Sequence, residues 1–151
     1  MRLPEGFVYL ACLLDVYSRK CIGWSLSRRI DAQLPLQALE MALAQRVVSG
    51  GLIHHSDRGK QYCSNVYVQR LLDVGAHISM STPGQPTENA FVESFIKTLK
   101  CEEVYLHQYR TFEEAQARLQ TFLEDVYNTK RLHSSLDYVP PDEFELKYAL
   151  C

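Results

Sequence analysis

The stretch His54-His55-Ser56-Asp57-Arg58-Gly59-Lys60-Gln61-Tyr62 decides how this chain is read, because it ends a short apolar segment, residues 52–55, in a polar and charged cluster. Carboxyl ends of strands are where open α/β sheets gather functional side chains. Asp57 equally suits an Asx turn before Gly59, a role aspartate fills through local hydrogen bonding alone. On this segment both readings stay open. The adjacent His54 and His55 face opposite ways in a strand, so they do not form a chelating pair.

The next informative stretch is a helix expected from Asn89 to about Tyr105. At about 100° per residue, Phe91, Val92, Phe95, Ile96 and Leu99 form one apolar arc. Asn89, Glu93, Lys97 and Lys100 form a separate polar stripe roughly 120° away. One carboxylate is thus flanked by an amide one turn before it and two ammoniums one and two turns after it. The bland alternative is a solvated face with a Glu93-to-Lys97 pair, worth a few tenths of a kcal/mol.

Around these segments the pattern alternates strands and helices. Residues 7–14 are almost continuously apolar, as in a strand buried on both faces, and residues 21–26 read as its hairpin partner. Asp31 is expected to cap a helix carrying Leu36, Leu39, Leu43 and Val47, which ends at Ser49-Gly50-Gly51. Residues 66–74 carry a helical pattern that stops at Gly75, and residues 77–81 read as a short strand. Two prolines and a glycine make residues 82–87 a loop. A capping box, Thr111-x-x-Glu114, opens a helix bearing Ala115, Leu119, Phe122 and Val126, and Pro140-Pro141 precedes a last short helix. The order gives an α/β fold with a mixed sheet, and residues 1–151 read as one domain whose C-terminal helical part begins near residue 107.

Composition narrows the classes. The chain has 151 residues, with 16 Lys+Arg against 18 Asp+Glu for a net charge of -2, so affinity for a polyanion must come from local patches. Its five cysteines form no C-x-x-C pair and no zinc spacing, which argues against a disulfide scaffold or a zinc ribbon. No apolar run approaches the roughly 18 residues of a membrane span, and a cytoplasmic location is expected.

Thirty-five residues, positions 58 to 92, separate Asp57 from Glu93. With this interval, HSDRGKQY, then PGQPTENAFVESFIKTLK, then YNTKRLHSSLDYVPPDEFE resemble the catalytic half of bacterial insertion-sequence transposases, DDE recombinases of the retroviral-integrase-like superfamily. The likeness covers nearly the whole chain. It implies a ribonuclease-H-like mixed sheet flanked by helices, and carboxylates that hold two Mg²⁺ (or Mn²⁺) ions ~3.5–4 Å apart for in-line phosphodiester displacement. Asp57 and Glu93 are then the catalytic residues and metal ligands. Asn89, Lys97 and Lys100 face DNA, while Lys130 and Arg131 either contact its backbone or clasp the last helices together. His55 and Gln61 support the site. Asp15 matches a position outside the catalytic set, and a turn-stabilising role with Ser18 is expected. Asp137 stands where relatives often carry Gly.

The resemblance also implies a first catalytic Asp on a strand upstream of the turn Pro4-Glu5-Gly6, so the first strand is expected to be largely missing. Weak metal binding and an exposed sheet edge that invites association would follow. The expected function is that of a transposase or integrase catalytic-core fragment, from an enzyme of DNA strand cleavage and transfer at transposon ends and target DNA, inactive alone. The alternative is a non-catalytic DNA-binding or oligomerising module that modulates a full-length transposase through mixed oligomers; a homo-oligomer is a further expected form. A third possibility, a ribonuclease-H-like nuclease unrelated to transposition, predicts hydrolysis without joining.

Overall fold

The computed structural model describes residues 1–48, 50–82 and 90–149. Pro4-Glu5 is a two-residue turn that joins two stubs, β1 (Arg2–Leu3) and β2 (Gly6–Phe7), with Arg2 opposite Phe7 and Leu3 opposite Gly6. Gly6 has φ +132°, a conformation that the missing Cβ makes accessible. Residues 7–14 were expected to form one strand from their apolar run, but they do not. The strand restarts after Val8, which exchanges hydrogen bonds with Met1 (Val8 N–H to Met1 C=O 2.9 Å, Met1 ammonium to Val8 C=O 2.8 Å), and continues as β3 (Tyr9–Leu14).

β3 pairs antiparallel with β4 (Cys21–Ser27), from Tyr9 opposite Ser27 to Leu13 opposite Gly23, with an irregularity before Leu14 meets Cys21. The connecting turn is built by Asp15, whose Oδ1 accepts from the Tyr17 and Ser18 N–H groups at 2.9 and 3.2 Å, the structural role expected for it. Side chains alternate along β3. Leu10, Cys12 and Leu14 pack on the cluster that includes Phe95, Leu99, Leu119 and Leu123, while Tyr9 and Leu13 turn toward the opposite layer with Leu34 and Ala38. Two helical layers therefore cover one strand, which explains why its sequence lacks an apolar-polar alternation.

α1 (Gln33–Gln45) lies directly on β4, because Gly23 has no Cβ to hold off Ala38 and Ala42. Its N-cap is Ala32 rather than Asp31; the Asp31 carboxylate instead accepts from the Gln33 N–H at 3.1 Å. The helix also stops short of the glycines. Arg46 is extended and Val47 is 99% exposed, so Val47 is not part of the apolar face. β5 (Ile53–Ser56) pairs in parallel with β6 (His77–Met80), and α2 (Asn65–Asp73), capped by the Ser64 hydroxyl, crosses between them and ends at Gly75 with φ +74°.

Beyond the undescribed 83–89, α3 (Ala90–Glu102) buries Phe95 and Leu99, and a single 3₁₀ turn, Val104–Leu106, follows it. α4 (Phe112–Gln120) opens with the expected box: Thr111 Oγ1 accepts from the Glu114 N–H, and the Glu114 carboxylate reaches back to the Arg110 N–H. It widens into a π-helical stretch, Thr121–Tyr127. Its end delivers the buried Asn128, whose side chain bonds both the N–H and C=O of Cys21 at 2.9 Å. Asp137 has φ +57°, the left-handed conformation that glycine adopts without penalty. α5 (Pro141–Ala149) closes the described chain.

The α/β class is as expected, with both antiparallel and parallel pairing. Among the described residues, however, the ladders β1–β2, β3–β4 and β5–β6 remain separate pairs.

Candidate functional site

Asp57 is the first residue after β5, and Glu93 sits in the first turn of α3, where the helix dipole favours a carboxylate. Both are exposed, and both line one cavity of about 940 Å³ that residues of β3 and β5 also line. Lys97 and Lys100 line it as well, so the structure brings together the polar stripe and the strand end that the sequence singled out. The bland reading of Asp57 is also realised: its Oδ1 accepts from the Gly59 N–H at 2.8 Å, which fixes the turn. These roles are compatible, because one carboxylate oxygen closes the Asx turn and the other makes no hydrogen bond among the described residues. Glu93 makes no ion pair with Lys97 among the described residues; the carboxylate and both ammoniums are exposed in the cavity wall.

The supporting residues are held more tightly than expected. His55 lines the cavity, but its ring spans β6: Nδ1 meets Ser79 Oγ at 2.9 Å and Nε2 meets Ser81 Oγ at 3.1 Å. His54 points the other way, with Nε2 at 2.9 Å from the Tyr67 hydroxyl, and burial lowers its pKa below the ordinary histidine value. Gln61 does not reach the Asp57 cavity. It folds against the turn, where a Cβ on Gly59 would meet its Nε2 at 2.8 Å and Asp57 Oδ1 at 2.9 Å, and it lines a smaller cavity of about 240 Å³. Arg58, which the sequence did not single out, pins the same turn by donating from Nε to the Ser81 carbonyl at 3.1 Å. Tyr62, also unforeseen, lines the main cavity, and burial together with the Asp57 charge pushes its hydroxyl pKa up to about 12.

Of the basic residues near the C-terminus, Lys130 is exposed, but Arg131 clasps Glu102 through Nε and Nη2 at 3.0 and 2.9 Å. The clasp reading is the one this geometry supports for Arg131. Arg19 places its guanidinium 3.8 Å from the Phe91 ring centroid, near the start of α3. Its signal in the sequence was slight, a lone cation in a hairpin turn. Asn89 lies outside the described residues. Two members of the expected apolar arc, Phe91 and Val92, are half exposed and line the main cavity rather than packing in the core.

Two carboxylates suit a hard divalent cation that completes its shell with water and phosphate oxygens. Among the described residues no group of three or more His, Cys, Asp and Glu side chains is placed to hold a metal ion. No helix among them is long and apolar enough to cross a membrane.

A family model described as integrase core domain matches residues 1–86, and a second of the same description matches residues 74–141. The chain belongs to the integrase core family. It is 45% identical over 141 residues to the transposase for insertion sequence element IS904 of Lactococcus lactis subsp. lactis, which covers 93% of this chain and 56% of that protein. It is 41% identical over 147 residues to the transposase InsF for insertion sequence IS3A of Escherichia coli K12, covering 97% of this chain and 51% of the relative. The chain thus spans about half the length of the curated relatives it matches. Among solved structures, the integrase core resembles a chain of the simian T-cell lymphotropic virus intasome in complex with PP2A regulatory subunit B56 gamma, with TM-score 0.73 at 15% identity, covering 95% of this chain and 50% of that one. It also resembles the catalytic core domain of BIV integrase, with TM-score 0.66 at 18% identity, covering 99% and 91%. At these identities the structural matches speak for the fold. They agree with the ribonuclease-H-like architecture expected from the sequence.

Proposed function

We propose that this integrase core derives from an insertion-sequence transposase and takes part in DNA strand cleavage and transfer, with Asp57 and Glu93 as ligands of divalent metal. The observation that carries the reading is the placement of these two acids, one from a strand end and one from a helix, on the same cavity as Lys97 and Lys100. Mg²⁺ or Mn²⁺ bound there would polarise a phosphodiester and stabilise the attacking and leaving oxygens. The protein's own part is positional. The Asx turn holds Asp57 rigid, Glu93 rides on α3, and the two lysines bring positive charge to phosphates beside the acids. Lys130 is taken as a further DNA contact, and so is Asn89 from the sequence alone; Arg131 instead holds Glu102, His55 fixes β5 to β6, and Gln61 supports the Asp57 turn.

With two acids in the described site, the isolated chain is expected to bind metal weakly and to join no DNA ends. The test is a strand-transfer assay with a labelled donor end in Mg²⁺ or Mn²⁺. Joining that Asp57→Ala abolishes would overturn the inactivity, and hydrolysis without joining would favour a plain nuclease. DNA binding tests the lysines separately: Lys97→Ala and Lys100→Ala should each lower the salt slope by roughly 0.9 if each meets one phosphate. Strand edges of β3 and β5 that have no partner among the described residues support a second reading, a module that modulates a full-length transposase in mixed oligomers in the cytoplasm. Co-purification with the intact transposase and a change in its activity would favour that reading.

A further inference from the structure

The turn between β3 and β4 is anchored on both sides of Arg19. Ser18, only 1% exposed, donates from its hydroxyl to Glu145 at 2.7 Å, and the Lys20 ammonium meets Asp142 at 2.7 Å and Glu145 at 3.4 Å, so α5 grips the turn. Arg19 between them has φ +62°, a conformation that costs energy for a residue with a Cβ and persists only where surrounding contacts impose it. Its guanidinium lies over the Phe91 ring, 3.8 Å from the centroid, close enough for a planar cation to stack on an aromatic face. Nη1 is buried and makes no hydrogen bond among the described residues, so the ring supplies the contact. Burial, then the charges of Arg131 and Arg19, lower the His133 pKa, so the Arg19 charge is felt at His133 as well.

Phe91 matters because of its place on α3. The N–H groups of a helix's first turn have no intrahelical acceptors, so this turn is held by what its side chains touch. Phe95, one turn on, is fixed: it is 2% exposed and meets the Tyr127 ring edge-on at 5.0 Å, and Tyr127 meets His133 at 5.2 Å. Phe91 is half exposed, and the Arg19 guanidinium is the cation stacked on it. Phe91 and Phe95 are i, i+4 neighbours on one face, so fixing both sets the rotation of α3 about its axis and with it the direction of Glu93. We propose that Arg19 is a positioning residue for Glu93: by stacking on Phe91 it ties the first turn of α3 to the anchored β3–β4 turn and holds the Glu93 carboxylate in place relative to Asp57. The proposal rests on the reading of Glu93 as a metal ligand. Charge alone predicts the reverse effect, because a nearby cation repels a divalent ion and its removal would tighten metal binding. Arg19→Lys keeps the charge and loses the planar face, which separates the two accounts.

The test uses the whole chain with Arg19→Gly, which removes the side chain and leaves a residue suited to φ +62°, and with Arg19→Lys. In each, the amides of Ser94, Phe95 and Ile96, which bond to carbonyls of the first turn, should exchange roughly fivefold faster, while those of Leu119 and Leu123 keep their rates. Mn²⁺ affinity read by electron paramagnetic resonance should weaken roughly tenfold in both variants, the low end for residues that orient a metal ligand. Phe91→Leu should reproduce both effects, and combining it with Arg19→Gly should add little to either. Unchanged exchange in α3 would overturn the proposal. So would Mn²⁺ binding that is unchanged or tighter in Arg19→Gly, or an Arg19→Lys variant that behaves as the parent does. Glu93→Gln separates the two levels: if it leaves Mn²⁺ binding unchanged, the metal-ligand reading fails, and the exchange rates alone decide whether Arg19 holds α3.

Discussion

Asn128 offers the sharpest test of how the C-terminal helices hold the sheet. Its side chain is the polar partner of Cys21 at the start of β4: Oδ1 accepts the Cys21 N–H and Nδ2 donates to the Cys21 carbonyl, both at 2.9 Å, with each residue only 5% exposed. Asn128→Leu keeps the bulk and leaves two buried backbone groups unpaired. At ~1–3 kcal/mol for each stranded group, the expected loss is about 2–6 kcal/mol, a large share of the ~5–15 kcal/mol typical of a domain. Urea unfolding followed by circular dichroism measures it. Asn128→Asp adds a second readout. The carboxylate still accepts from Cys21 N–H but cannot donate to the carbonyl unless protonated, and burial also favours the neutral acid, so its folded pKa is raised above the ordinary ~3.9. Its stability is therefore greatest below that value and falls as pH rises through the folded pKa, relative to the unsubstituted chain. A loss under about 0.5 kcal/mol for Asn128→Leu, smaller than one hydrogen bond's net worth, would refute this reasoning, as would a pH-independent difference for Asn128→Asp.

Other perturbations read other parts of the fold. Gly23→Ala drives a methyl into the Ala38 carbonyl and to 3.0 Å from Ala42 Cβ, so α1 must shift; about 1–3 kcal/mol of destabilisation is expected in the same unfolding assay. Burial alone would raise the pKa of Glu145, but bonds from Arg46 and Ser18 and the charges of Arg46 and Lys20 lower it below its ordinary 4.5. That stabilisation is present above pH 4.5 and is lost as pH falls through the lower folded value, a pH dependence that Glu145→Gln should flatten. His54 should titrate below 6.5 by NMR, so stability contributed by its neutral form declines as pH falls from that value. Mg²⁺ at ten times its dissociation constant should raise stability by about 1.4 kcal/mol, and Asp57→Asn should remove that gain in a thermal-shift titration.

The parts of this molecule legible in the sequence are those fixed by neighbours a few residues away. The Glu93–Lys97–Lys100 stripe, the Thr111 box, the Asp15 turn and the stop at Gly75 all follow from helical spacing or local hydrogen bonding. The misreadings have distant causes. Val47 extends the apolar period of α1, yet the helix ends at Gln45, and Arg46 pairs with Glu145, 99 residues away. Asn128 reads as an ordinary polar residue because its partner Cys21 is 107 residues distant. For Arg131 the sequence leaves a DNA contact and a structural clasp equally open, because its partner Glu102 is 29 residues away. The π-helical stretch carries an unremarkable helical pattern. Phe91 and Val92 belong to a sound apolar arc, but the layer they would cover is the open cavity.

The same pairings bear on the charge left at the cavity of a chain with net charge -2. Several acids are engaged in ion pairs: Glu40 with Arg70, Glu102 with Arg131, Glu103 with Arg118, and Glu145 with Arg46 and Lys20. Each such pair cancels a cation of the same neighbourhood, so their combined far field is small at physiological screening. Lys97, Lys100 and Lys130 form no ion pair among the described residues and are exposed. At the cavity rim the uncancelled charges are therefore two ammoniums beside two carboxylates, close to local neutrality. A divalent cation shared by Asp57 and Glu93 would reverse that balance, turning the rim clearly positive and drawing phosphate toward the acids. Metal and polyanion should accordingly strengthen each other's binding here, and Lys97 and Lys100 alone should hold DNA only weakly when metal is absent.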